Sequence, residues 1–304
     1  MGMENYIMNR RRFTKSLVAG SLASIALPRW LNSEEVMNTG YLDNIGIQLW
    51  TVRNQLAEDL PGTLKAIKDA GYAQVELMRT VGEDYVFAKA RELGLNVSSA
   101  FIDWRTIADP TADGVPSQAE ILEKAKDFGL KYLVFGYLGK GFRETEKQMT
   151  AHAESANAFG EKCLERGITL CYHHHSFEFA PLAESSKTGW DVLLDRLDPN
   201  LVKFEIDVFW AAIGGLDPVV LLKELEGRVA QVHLKDLLPG TGILWDEGEV
   251  PHEAFKELGN GELDIAKIIQ VASETGVDQC HVEQDQSPNP LLSIATSSQY
   301  LRDC

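Results

Sequence analysis

From residue 44 to the C-terminus the chain alternates between two patterns of apolar and polar positions. One is a short, nearly continuous apolar run bounded by turn residues. The other is a longer stretch whose apolar residues recur at helical spacing. The apolar runs fall at residues 45–50, 74–78, 96–101, 132–136, 168–175, 201–209, 229–234 and 280–283. Helices are predicted between them over residues 63–70, 85–93, 117–128, 145–166, 190–197, 218–225 and 265–275, with a terminal helix near 290–301. Gly71, Gly94, Gly129 and Gly167 each follow a helical stretch, where glycine closes the last turn most readily. Strands that alternate with helices form a parallel sheet, and near-continuous apolar strands are covered on both faces. Eight such units predict an α/β fold, a closed (β/α)8 TIM barrel as a single domain over residues 41–304, rather than an open doubly wound sheet. No glycine-rich phosphate or dinucleotide fingerprint follows any run, and Gly259-Asn-Gly261 reads as a turn.

Four of the apolar runs end in residues that are a poor choice for packing. The segment 169–179 starts apolar and finishes through His173, His174, His175 and Glu178. The sixth run ends in Glu205-Ile-Asp207, the seventh in His233-Leu-Lys235-Asp236 and the eighth in Glu283-Gln-Asp285. Buried polar groups cost free energy unless they are paired. Four successive strand ends of this kind therefore point to one composite site at the C-terminal mouth of the barrel. Residues two apart on a strand share a face. On that alternation His173, Asp207, His233 and Glu283 converge near the top of the barrel, a nitrogen and carboxylate set suited to Mn²⁺, Zn²⁺, Co²⁺ or Mg²⁺. Taken singly, each has a plainer reading: a hydrogen-bonded histidine, or an aspartate capping the next helix. His175 stays open as the alternative ligand to His173.

Composition narrows the partners. The chain carries 29 basic and 45 acidic residues, a net charge of −16. That argues against binding a nucleic-acid backbone or an anionic membrane, and it suits a small neutral or cationic molecule and a divalent ion. No run after the N-terminus reaches the length of a membrane span. The N-terminus has its own grammar. Residues 9–15 are basic and residues 16–27 apolar, the order of a signal peptide. Arg10, Arg11, Phe13 and Lys15 are similar in register to twin-arginine signals, so residues 1–36 are expected to be a signal and linker that send the protein to the periplasm. The four cysteines form neither a disulfide framework nor a zinc knuckle.

The segments around His173 to Phe179, Glu205 to Gly215, His233 to Asp236, Leu258 to Asp264 and Glu283 to Asp285 resemble the xylose isomerase-like TIM barrels. That family covers sugar phosphate isomerases and epimerases, with AP endonuclease-type enzymes as distant relatives. The resemblance implies one divalent metal held by a Glu, an Asp, a His and a second Glu. Asp207, His233 and Glu283 match three of these positions, and His173 stands at the fourth, where many relatives have Glu. The resemblance implies proton abstraction beside a sugar carbonyl, with Glu283, His173 or His175 as base and Lys235 on the developing oxyanion. Glu76, Trp104, Glu178, Trp210 and Asp285 are the expected substrate contacts, with Trp50 as a further stacking candidate. The long insertion at residues 238–257 is expected to act as a lid carrying Trp245, or else as a dimer contact in a homo-oligomer. The expected activity is an exported, metal-dependent sugar isomerase or epimerase. A lyase or hydratase acting on 3-keto-glycosides is the alternative, because a single base suffices for it, and a non-catalytic sugar-binding barrel is the third reading.

Overall fold

The computed structural model describes residues 42–304. The expected signal peptide and linker, residues 1–36, lie outside the described residues. Eight parallel strands close into a barrel. They are β1 (Gly46–Gln48), β2 (Gln74–Leu77), β3 (Asn96–Phe101), β4 (Tyr132–Phe135), β5 (Thr169–His173), β6 (Val202–Asp207) and β7 (Val229–Leu234). Two short strands, β8 (Asp236–Leu237) and β9 (Phe255–Lys256), precede the eighth barrel strand, β10 (Gln279–Val282). Strand order follows chain order, and β1 pairs with β2 on one side and β10 on the other.

The helices start where their capping residues dictate. Thr145 and Gln148 form a reciprocal capping box ahead of Glu146–Leu164, and Thr188 and Asp191 form another ahead of Gly189–Arg196. Gly129, at φ 67°, ends Gln118–Phe128. The main core joins buried strand residues such as Ile47, Val75, Leu133, Leu170, Phe204 and Val232 to buried helix residues such as Leu64, Phe159 and Ile268. Among the described residues no helix is long and apolar enough to cross a membrane.

Three local differences from the sequence reading matter for the site. The fifth strand ends at His173, not His175. The sixth ends at Asp207, not at residue 209, because Asp207 caps an unanticipated helix, Val208–Ile213. The insertion after β7, expected as a long lid loop or a dimer contact, is tied down by the antiparallel β8–β9 pair. It also contains two 3-10 turns, Glu247–Glu249 and His252–Ala254.

Candidate active site

The alternation of side chains brings most of the polar strand ends inside the barrel. His173, Asp207 and His233 each present one ligand atom, and these atoms all lie within 4.8 Å of one another. The two histidines are each anchored from behind by a carboxyl group. His173 Nδ1 meets Glu205 Oε2 at 3.0 Å, and His233 Nε2 meets Glu76 Oε2 at 2.8 Å. His173 keeps Nε2, and His233 Nδ1 lies 3.9 Å from Asp207 Oδ2. Asp207 divides its work between its two oxygens. Oδ1 accepts from the backbone N–H groups of Phe209 (2.9 Å) and Trp210 (3.0 Å), the helix cap. Oδ2 is buried and faces the Lys235 ammonium at 3.1 Å. Together with two imidazoles it is a donor set that fits a divalent ion such as zinc or manganese.

Glu283, the fourth expected ligand, stands beside this triad rather than within it. Its Oε2 lies 3.1 Å from His233 Nδ1 and 2.8 Å from Lys235 Nζ. Lys235 is fully buried. Its ammonium also lies 3.1 Å from Asp207 Oδ2 and is hydrogen-bonded to Asp285. Burial alone would lower the Lys235 pKa, but Asp207, Asp285 and Glu283 hold it well above the ordinary value. Burial works to raise the Glu283 pKa, but Lys235 and His233 hold its carboxyl well below the usual range. Asp285 is pushed up to about 6, by burial first, with Lys235 opposing. His233 is driven up by Glu205, Glu283 and Glu76 against the effect of burial, whereas burial keeps His173 and His175 well down and therefore uncharged.

Above these groups opens a cavity of about 680 Å³, within the range of small-molecule sites. His173, His175, Glu283 and Asp285 form its polar base. Trp50, Trp104 and Trp210, from the segments after β1, β3 and β6, supply aromatic walls. The insertion contributes Glu247, His252 and Phe255. His175 Nδ1 is buried and has no hydrogen-bond partner. His174, between the two site histidines, faces the other way. Its ring packs 5.2 Å from both Phe179 and Trp190, and its Nδ1 meets the His175 carbonyl at 2.9 Å.

Several expected contacts are placed elsewhere. Glu178 does not line the cavity. It is buried and accepts from Tyr172 Oη at 2.7 Å and the His175 backbone N–H at 2.9 Å, so it fixes the turn that follows β5. Glu76 is fully buried beneath the cavity, hydrogen-bonded to Gln48, Ser99 and His233. Trp245 does not line the cavity either, and its indole N–H donates to the Gly214 carbonyl at 3.3 Å. Lys235 is enclosed by its three carboxylates and stays off the cavity wall. Asp236 is no partner of that lysine. Its two oxygens collect the backbone N–H groups of Leu237, Gly259, Gly261 and Leu263 at 2.8–3.1 Å. At Gly261 an added Cβ would fall 2.1 Å from Asp236 Oδ1, which explains why the Gly259-Asn-Gly261 turn needs glycine there. Residues the sequence reading left out of the site are Gln48, Tyr137, Glu205 and Glu247. Glu205 shares a face with Asp207, a signal that was present in the alternation.

Residues 64–304 match the family of xylose isomerase-like TIM barrels. The chain belongs to that family. Among curated proteins, it is 28% identical over 209 residues to an inosose dehydratase of Geobacillus kaustophilus (strain HTA426), 59% of this chain and 66% of that one. It is 26% identical to an inosose dehydratase of Clostridium tetani (strain Massachusetts / E88), over only 55% of that protein's length. A third relative of that name, from Mesomycoplasma hyopneumoniae (strain 7448), is 27% identical over 84% of this chain and 93% of its own. Among solved structures, a sugar phosphate isomerase/epimerase from Parabacteroides distasonis ATCC 8503 superposes with a TM-score of 0.66 at 23% identity, covering 86% of this chain and 94% of that one. The IolI protein with a binding zinc atom gives a TM-score of 0.60 at 16% identity, covering 86% and 97%. These two structural likenesses speak for the barrel fold alone.

Proposed function

We propose that this protein is a lyase that eliminates water, or another oxygen leaving group, from a cyclic keto-polyol or keto-sugar beside its carbonyl. The observation that carries the reading is the asymmetry of the cavity base. Its carboxylate Glu283 is spoken for by Lys235 and His233, whereas the His175 ring that lines the same cavity is uncharged and keeps an unpartnered Nδ1. Epimerisation through two opposed glutamates lacks its second one, because His173 stands where the family resemblance expects it. Elimination needs a single group that takes a proton and returns it. His175 takes the proton from the carbon next to the carbonyl, and the electron pair moves into the carbonyl to give an enediolate. The enediolate then collapses with loss of the oxygen at the adjacent carbon, and the imidazolium delivers its proton to that leaving oxygen. Lys235 keeps Glu283 and Asp285 ionised and oriented at the cavity base. His173, Asp207 and His233 would hold a divalent ion, whose chemistry when bound is to polarise the carbonyl. The inosose dehydratase names of the curated relatives support this class of reaction, as does the aromatic, sugar-sized cavity.

The isomerase or epimerase reading is separated from the lyase reading by one experiment. The protein is incubated with an inosose and with a 3-keto-glycoside in deuterated water, and products are weighed by mass spectrometry. Elimination yields loss of one water or of the aglycone, and His175→Ala lowers its rate by roughly 10²–10⁴-fold. Deuterium gain without loss of mass, in the wild type, would replace this reading with isomerisation. The export expected from residues 1–36 is a proposal of the sequence alone, tested by finding the processed protein in a periplasmic fraction.

A further inference from the structure

The mechanism above assigns no step to Glu205, a buried acid of the barrel interior. Glu205 is fully buried, two residues before Asp207 on the same face of β6. Its two oxygens touch both histidines of the ion site. Oε2 lies 3.0 Å from His173 Nδ1, and Oε1 lies 3.3 Å from His233 Nε2. Gln231 holds the carboxyl in place by donating to Oε1 at 3.0 Å. We infer that Glu205 is the positioning residue that lets a histidine serve as an ion ligand at position 173. The inference rests on the reading of His173, Asp207 and His233 as an ion site.

A neutral imidazole has one donor and one acceptor nitrogen, and the partner of the first decides which way the second points. Glu205 occupies Nδ1 of His173, so Nε2 is the nitrogen left for an ion. On His233 it lies against Nε2, and Nδ1 faces Asp207 and Glu283. A carboxyl group behind a ligand imidazole fixes the ring and strengthens it as a donor. When a histidine replaces a glutamate ligand, the ligand shell loses an acidic group. Glu205 supplies one in direct contact with the replacing ring. A purely structural Glu205 makes a different forecast: its loss would weaken the fold and leave ion affinity and geometry untouched.

The test is a Co²⁺ titration of the metal-free full-length protein, following affinity and the visible absorption bands that report ligand geometry. The proteins are the wild type, Glu205→Met, Glu205→Gln and His173→Ala. The wild type is expected to bind one Co²⁺, and His173→Ala to lose most of that affinity. Glu205→Met, which keeps the volume without an acceptor, is expected to lose roughly 10–100-fold in affinity with shifted bands. Glu205→Gln, which keeps an acceptor, is expected to fall between the wild type and Glu205→Met. Equal affinity and identical bands in the wild type and both Glu205 variants would overturn the inference and leave the ion site standing. No Co²⁺ binding by the wild type would overturn the ion site and this inference with it. Should Glu205→Met fail to fold, nitrogen NMR of the His173 ring in metal-free Glu205→Gln decides the matter. An altered balance between its two nitrogens supports the inference, and a spectrum identical to the wild type overturns it.

Discussion

Two layers of the barrel interior use polar residues in opposite ways. The lower layer is made of neutral groups that satisfy one another. Gln74 Nε2 donates to the Asn44 carbonyl at 2.7 Å, and Ser98 Oγ lies 3.1 Å and 2.9 Å from the side-chain oxygens of Gln74 and Gln279. The upper layer is made of titratable groups: Glu76, Glu205, His233, Asp207, Lys235 and Glu283, all buried. There the partners do not close. His175 Nδ1 and both ring nitrogens of His281 are buried without a hydrogen-bond partner. Unspent capacity of this kind costs stability, and a scaffold tolerates it where the groups have work to do on a ligand. The difference teaches that the lower layer is a floor and the upper layer a site, although both sit on the same eight strands.

The strongest way to break this comparison is to remove the charge that holds the upper layer together. Lys235→Met leaves Asp207, Glu283 and Asp285 facing one another without their common cation. Removing one partner of a buried ion pair costs about 3–5 kcal/mol. Urea unfolding of the metal-free protein is expected to show a loss of that size. A loss below about 1 kcal/mol, the range of an exposed pair, would mean that water reaches the cluster and that the upper layer is not a desolvated site.

A gentler change sharpens the contrast. Gln74→Leu removes the amide that links Asn44 and Ser98 in the floor. It is expected to cost about 1–3 kcal/mol, the usual penalty for orphaning buried partners, while Co²⁺ affinity stays at the wild-type value. An effect on ion binding equal to that of Glu205→Met would show that the two layers are one network, and the division drawn above would fall.

The barrel itself was legible because its signals are local. Apolar runs, helical spacing and closing glycines located all eight barrel strands, and residues 96–101 and 229–234 match β3 and β7 end to end. The polar strand ends were legible for the same reason, since the alternation that buries Cys171 also turns His173 inward and His174 outward. What the sequence could not tell was how one side chain divides between tasks. The cap and the ligand were alternatives for Asp207, whereas its two oxygens allow both. Glu178 looked like a sugar contact because it follows the histidines, yet Tyr172 and the His175 backbone absorb it. Partners brought together by closure of the barrel, such as Lys235 with Asp285, or Glu205 with His173 and His233, depend on register across strands. No local pattern encodes that register.

The smallest expected effect concerns the part of the site that does not belong to the strands at all. The insertion after β7 meets the segment after β4 through Glu247, which accepts Arg143 Nη2 at 2.7 and 2.8 Å and the Tyr137 hydroxyl at 3.0 Å. The Arg143 guanidinium also stacks 3.6 Å from the centre of the Phe177 ring. Lys140 pairs with Asp246 beside it, at 2.8 Å. Glu247 to Phe255 is the portion of the insertion that reaches the cavity, through Glu247, His252 and Phe255 among others, so this latch sets the shape of the upper wall. Arg143→Met keeps much of the stacking surface and loses an ion pair whose side chains are largely buried, but Glu247 keeps the Tyr137 hydroxyl, so the stability cost is expected to be about 1 kcal/mol. The latch would show instead in substrate binding, as a several-fold rise in KM at nearly constant kcat, and in faster proteolysis within residues 238–254. If KM and cleavage both stay at wild-type values, the insertion is held by the β8–β9 pair and the Asp236 hydrogen bonds alone. It then belongs with the rigid floor in this comparison, not with the working layer above it.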